Sequence, residues 1–133
     1  MSSGIYNRLK ANLFNKVVDL EADTVQVSLY DNSHAFTATD HTYTTTNELA
    51  TATGYTQGGA TLASKAVTEA ATTKWDAADT AWSASTFTAY HAVIWDDTAA
   101  NSLICSIDFG GAQSVSSGTF TIEWNNSGII TLA

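Results

Sequence analysis

The strongest constraint on this chain is a two-residue period that returns along most of its length. Val25, Val27 and Leu29 alternate with Gln26, Ser28 and Tyr30; Leu103, Cys105, Ile107 and Phe109 take every second place in a later run, and Phe120, Ile122 and Trp124 do so again. Successive side chains of a strand point to opposite faces, so each series puts its apolar members on one face. The alternation predicts a strand over 24–31 that buries one face. β-branched and aromatic content predicts further strands over 60–67, 72–76, 87–95, 102–109, 119–124 and 129–132. Turn signals separate them: Asp96-Asp97, Gly110-Gly111, Ser117-Gly118 and Asn125-Asn126-Ser127-Gly128. That spacing suits antiparallel meanders rather than βαβ units. The expected architecture is mainly β, an antiparallel β-sandwich with the 103–109 and 120–124 series facing inward.

A different period opens the chain. Ile5, Leu9, Leu13, Val17 and Leu20 recur at helical spacing, Tyr6 and Phe14 widen the stripe, and Arg8, Lys10 and Lys16 lie on other faces. An N-terminal amphipathic helix over about 5–20 is expected, entered through Ser2, Ser3 and Gly4 and left through Asp19, Glu21 and Asp23. The only other basic residues are Lys65 and Lys74, so this helix is a positive element on an acidic protein. The stretch 32–59, rich in Thr, Asn, Asp and Gly, reads as a long excursion with one helical turn near Asn47-Glu48-Leu49. With 133 residues, a 44% hydrophobic fraction and only 14% charged residues, the whole of 1–133 is expected to pack as one domain.

Thirteen acidic against five basic residues leave a formal net charge of −8, which repels a phosphate backbone and argues against direct nucleic-acid binding. Apolar runs of about four residues fall far short of the roughly 20 that span a bilayer. No basic-then-apolar leader is read at the start, so neither export nor membrane insertion is expected. The single cysteine, Cys105, lies in an apolar run and reads as a small core hydrophobe.

Chemistry finds little foothold. There is no phosphate loop, dinucleotide fingerprint, nucleophile elbow or zinc-type spacing, and no cofactor is expected. His34, Asp40 and His41 pair imidazole with carboxylate, a combination that suits divalent cations. Their spacing matches no ligand pattern, and they read as solvated loop residues. Asp96-Asp97 offers too few oxygens for calcium. Asp76 and Asp79 beside Trp75 and Trp82 could serve a carbohydrate, with the rings stacking on sugar and the carboxylates acting as acid and base. The plainer reading makes the rings packing or interface residues and the carboxylates turn caps. An enzyme is the least supported class. The aromatic residues exceed what so small a core needs, and aromatic side chains commonly anchor interfaces.

Gly54-Tyr55-Thr56-Gln57-Gly58-Gly59-Ala60-Thr61-Leu62 resembles a loop of small virion proteins encoded among the structural genes of tailed phages. The resemblance continues in order through the alternating strand Val25 to Tyr30, Asp76-Ala77-Ala78-Asp79-Thr80-Ala81-Trp82, Ala89-Tyr90-His91-Ala92-Val93-Ile94, Ile107-Asp108-Phe109-Gly110, and Gly118-Thr119-Phe120-Thr121-Ile122-Glu123-Trp124 with Gly128-Ile129-Ile130. It covers nearly the whole chain and implies a structural role without an active site or cofactor, in a virion assembled in the bacterial cytoplasm. A capsid decoration or cement protein is the leading expectation, bound to the major capsid protein or other virion proteins as a homo-oligomer, with a trimer as one form. A neck, tail or fibre-base protein and a carbohydrate-binding attachment module using Trp75, Trp82 and Tyr55 are the alternatives. The expected interface residues are Arg8, Lys10, Phe14 and Lys16 on the helix, docked against an acidic capsid surface, together with Tyr55, Trp75 and Trp82. In the glycine loop, Gly54, Gly58 and Gly59 are expected at positive φ, with Tyr55 pinning the loop to the sheet.

Overall fold

The computed structural model describes residues 3–133 and is mainly β, with antiparallel pairing throughout. In chain order the elements are β1 (Gly4–Ile5), α1 (Asn7–Phe14), β2 (Val25–Tyr30), β3 (Ala60–Thr61), β4 (Ala66–Thr68), β5 (Thr73–Asp76), β6 (Thr80–Asp96), β7 (Ser102–Ile122) and β8 (Ile130–Leu132). They form a five-stranded sheet in the order β1-β7-β6-β2-β3 and a three-stranded sheet in the order β4-β5-β8. Neither sheet closes on itself. The strands of the smaller sheet are three or four residues long against 17 and 21 for β6 and β7, so it covers only part of the larger one.

The dominant feature is the β6–β7 hairpin. The expected strands 102–109 and 119–124 belong to one strand, and the turn signals Gly110-Gly111 and Ser117-Gly118 lie inside it. Those residues make bulges instead of ends. Between the pairs Ala89↔Gln113 and His91↔Asp108, β6 advances two residues while β7 advances five, and Gly110 and Gly111 absorb the excess at φ 80° and 152°. Ser117, at φ 49°, sits at another irregularity. Extra residues of this kind bend a strand without ending its pairing. The Asp96-Asp97 and 125–128 signals do make turns; the first leads into Ala100 and Asn101 in the left-handed region.

The segment 60–67 is not one strand. Ala60–Thr61 pairs with β2, the chain crosses at Ser64 in a left-handed conformation (φ 54°), and Ala66–Thr68 pairs with β5 in the other sheet. The helix is also shorter than its periodicity implies. Gly4 and Ile5 pair with Ser106 and Cys105 on the free edge of β7, which removes the first turn. Lys16 adopts φ 60° after the cap residue Asn15, which ends it. Ser2 lies outside the described residues, and Ser3 accepts a hydrogen bond from the Asp108 amide (2.8 Å) instead of capping the helix. The expected helical turn at 47–49 is a β-turn: the Glu48 amide bonds to the Thr45 carbonyl, Asn47 sits at φ 66°, and Glu48 bridges to Tyr30.

The main core joins Leu9 of α1, Val25, Val27 and Leu29 of β2, Ala92 and Ile94 of β6, Ile104 and Cys105 of β7 and Trp75 of the smaller sheet. A second cluster, Tyr6, Tyr30, Val93, Trp95 and Leu103, occupies the opposite face. β2 therefore buries both faces, not one. The cover comes from the excursion 32–59: Tyr43 stacks on Trp95 with centroids 4.0 Å apart, the Tyr30 hydroxyl donates to the Thr44 carbonyl (2.6 Å), and Trp95 Nε1 donates to Ser28 Oγ (2.9 Å). Pairing polar tips in this way makes burial of Ser28 and Trp95 favourable.

Candidate docking surface

Where α1 meets the smaller sheet, the core is left open. Leu9 faces inward and is buried, but the next turn of the helix carries Leu13 and Phe14 outward, and Phe14 is 93% exposed. Because the helix stops at Phe14, Val17 is not returned to the apolar stripe and stands 50% exposed. Across from them, β4 and β8 flank β5 and present Val67 and Leu132, the latter 60% exposed. Ile5, Leu9, Leu13, Phe14, Leu20, Val67, Trp75, Ile130 and Leu132 line a groove of about 440 Å³, with Lys10, Thr73 and Lys74 as its polar members. A second hollow adjoins it, lined by Leu13, Val17, Val18, Leu20 and Val67 with Lys16, Asp19 and Asp23 as its charged members. A contiguous exposed apolar surface of this kind on a small domain is a candidate docking site.

Within the groove itself the charged lining residues are both basic, Lys10 and Lys74. Arg8 and Lys10 are on α1, Lys16 follows it, Lys65 directly precedes β4 and Lys74 is on β5, which accounts for every basic residue in the sequence. Among the described residues none of them lies within salt-bridge distance of a carboxylate, and the one imidazole–carboxylate approach is His91 with Asp108 at 3.9 Å. Lys74 Nζ donates to the Asn126 carbonyl (2.7 Å), a neutral partner that leaves its charge uncompensated. In the neighbouring acidic loop Asp19 accepts from the Glu21 and Ala22 amides and Asp23 from the Asp19 amide, while Glu21 reaches across to accept from the Val67 amide of β4.

Of the residues expected at an interface, the structure brings Lys10 and Phe14 to this groove and Lys16 to its neighbour, with Arg8 exposed on the same helix. It takes Tyr55, Trp75 and Trp82 into the core. Trp75 floors the groove with its indole N–H held by the Leu20 carbonyl (2.9 Å), and Trp82 packs edge-on against Phe120. Buried this deeply, the three rings offer no open face for a sugar to stack on. Asp76 accepts locally from the Ala77 amide, whereas Asp79 caps no turn of its own and accepts from the distant Trp124 amide (3.1 Å). Val67, Leu132 and Lys74 were missed as site residues. No local pattern points to them, because strand pairing between distant segments carries them to the helix.

Tyr55 has the expected pinning role. Gly54, Gly58 and Gly59 take φ 94°, 98° and 82°, and a Cβ on Gly59 would lie 1.8 Å from the Val27 carbonyl oxygen. The Tyr55 hydroxyl accepts from the Leu29 amide and donates to the buried carboxylate of Glu48 (2.5 Å), which also accepts from the Tyr43 hydroxyl and the Gly58 amide (2.7 Å). Burial, reinforced by Glu48, raises the pKa of both phenols and keeps them as donors.

His34, Asp40 and His41 line a shared polar cavity of about 270 Å³, yet among the described residues no three His, Cys, Asp or Glu side chains converge as metal ligands, at this cavity or at Asp96-Asp97. His34 Nε2 is in hydrogen-bond contact with Ser106 Oγ (3.0 Å) and its ring lies 5.0 Å from that of buried His91. Burial lowers both imidazole pKa values. Burial likewise pushes the Cys105 thiol up to about 12, which removes thiolate reactivity at neutral pH. Among the described residues, no helix is long and apolar enough to cross a membrane. No family model matches the chain, and no curated protein or solved structure matches it.

Proposed function

We propose that this chain is a structural protein of a tailed-phage virion, most specifically a capsid decoration or cement protein that acts through contacts with the major capsid protein. The single observation that carries the docking role is the open apolar groove between α1 and the smaller sheet, with Lys10 and Lys74 in its lining. The virion assignment draws its support from the ordered run of motifs between Val25 and Ile130, which resembles small phage structural proteins over nearly the whole chain. On this reading the two antiparallel sheets serve as a reduced β-sandwich, a rigid non-enzymatic platform that holds the groove at the surface. Cement acts by mass action: each bound copy favours the assembled shell by its own binding free energy, and repetition at symmetric positions multiplies a modest contact. A homo-oligomer, with a trimer at local symmetry axes as its natural form, fits that role.

The test is quantitative mass spectrometry of purified particles of the phage that encodes the chain, scaled to the major capsid protein. Near-stoichiometric abundance is the expected result. About a dozen copies would replace decoration by a neck or tail position. Absence from particles would remove the virion assignment.

A further inference from the structure

We propose that the groove between α1 and the smaller sheet receives an acidic amphipathic segment of another protein, whose apolar side chains enter between Phe14 and Leu132 while its carboxylates meet Lys10, Lys16 and Lys74. The inference rests on the docking reading above and adds the chemistry of the partner. Two independent observations carry it. The groove is almost wholly apolar and its side chains Leu13, Phe14, Val67 and Leu132 are exposed, which selects apolar anchors spaced along one face of a short element, the usual mode of groove recognition. The charged residues that line the groove are Lys10 and Lys74, with no carboxylate among its lining residues, and neither lysine is paired with a carboxylate among the described residues, in a protein of net charge −8. Unpaired cations around a desolvated apolar centre steer and orient a segment of opposite charge, and they penalise a basic one.

A second copy seated face to face on this groove is disfavoured, because a two-fold contact would set the Lys10 and Lys74 charges of both copies against each other; the homo-oligomer proposed above uses another surface. An anionic membrane is disfavoured by the net negative charge of the molecule as a whole and by the concave shape of the site.

The experiment uses the full chain and three fluorescently labelled synthetic peptides. The first has Leu and Phe at helical i, i+3, i+4 and i+7 positions with Glu elsewhere; the second replaces every Glu by Lys; the third keeps the composition of the first but scrambles the apolar positions. Saturable binding of the first alone, weakening as salt is raised, is the expected result. Phe14→Ser should abolish it. Lys10→Glu combined with Lys74→Glu should weaken it about tenfold and improve binding of the Lys peptide. Phe14 and Lys10 are exposed, so circular dichroism identical to the parent chain separates loss of binding from loss of fold. Equal or tighter binding of the Lys peptide, binding unaffected by Phe14→Ser, or no binding at all overturns the proposal. It is equally overturned by self-association that Phe14→Ser abolishes, or by capture on phosphatidylglycerol vesicles while the acidic peptide stays free. Peptide failure with the chain abundant in particles would sink this inference and leave the virion reading; the opposite pair of outcomes would sink the virion reading alone.

Discussion

At the scale of single residues, buried carboxylates decide the most. Glu48 is held by two phenols and a backbone amide, and these tie the excursion 32–59, the glycine loop and β2 to one another. Removing the acceptor leaves buried donors unpaired, so Glu48→Ala should cost about 3 kcal/mol or more and Glu48→Gln about 1–2 kcal/mol, measured by urea denaturation. Asp96 behaves differently. It is fully buried, with Oδ1 accepting from the Ala99 amide and Oδ2 unpartnered, and burial, assisted by the neighbouring Asp23 carboxyl, raises its pKa from 3.8 to about 7. The folded state thus holds this proton more tightly than the unfolded chain does. The contribution to stability is complete below about pH 3.8 and is lost as pH rises through about 7. Asp96→Asn keeps the Oδ1 acceptor and removes the titration, so the stability difference between variant and parent should shift in the variant's favour from pH 4 to pH 7. Taking that difference cancels the opposing effect of His34 and His91, whose lowered pKa values make acid destabilising. A difference that does not change with pH would show that Asp96 is ionised throughout.

At the scale of elements, the glycine loop and the hairpin show how much depends on close approach. Gly58 and Gly59 share a positive φ, yet a Cβ on Gly58 meets nothing within 4 Å whereas one on Gly59 would strike the Val27 and Ser28 backbone. Gly58→Ala should therefore cost only the conformational penalty, about 1–2 kcal/mol. Gly59→Ala should cost about 3 kcal/mol or more, because β2 and β3 must separate to admit it. Thermal unfolding of the two variants side by side checks this. The glycine pair in β7 does something else: Gly110 and Gly111 have open space around them and serve to bulge a strand that would otherwise run on in register. One residue type marked three apparent turns, and only pairing with a partner strand distinguishes a bulge from an end.

At the scale of the molecule, the main core runs from α1 through the larger sheet to Trp75 of the smaller one, and the second cluster backs it from the other face. A core shared by both sheets predicts a single cooperative transition. Tryptophan fluorescence and far-ultraviolet circular dichroism should trace coincident denaturation curves, and separated midpoints would mean that the smaller sheet melts alone. The sequence by itself determined what depends on neighbours a few residues away: β content from period-two runs, a helix around Leu9, the Asp96-Asp97 and 125–128 turns, the glycine conformations at 54, 58 and 59, and the core placement of Cys105. Only the tertiary structure decided the rest. The free edge of β7 took Gly4 and Ile5 from the helix, pairing across the hairpin turned expected ends into bulges, and the excursion 32–59 covered a face that alternation assigned to water. The same long-range packing buried Tyr55, Trp75 and Trp82 and left Phe14 in the open beside Val67 and Leu132. The physical reason is one of range. Periodicity records which side of an element is apolar, but whether that side is covered depends on segments tens of residues away.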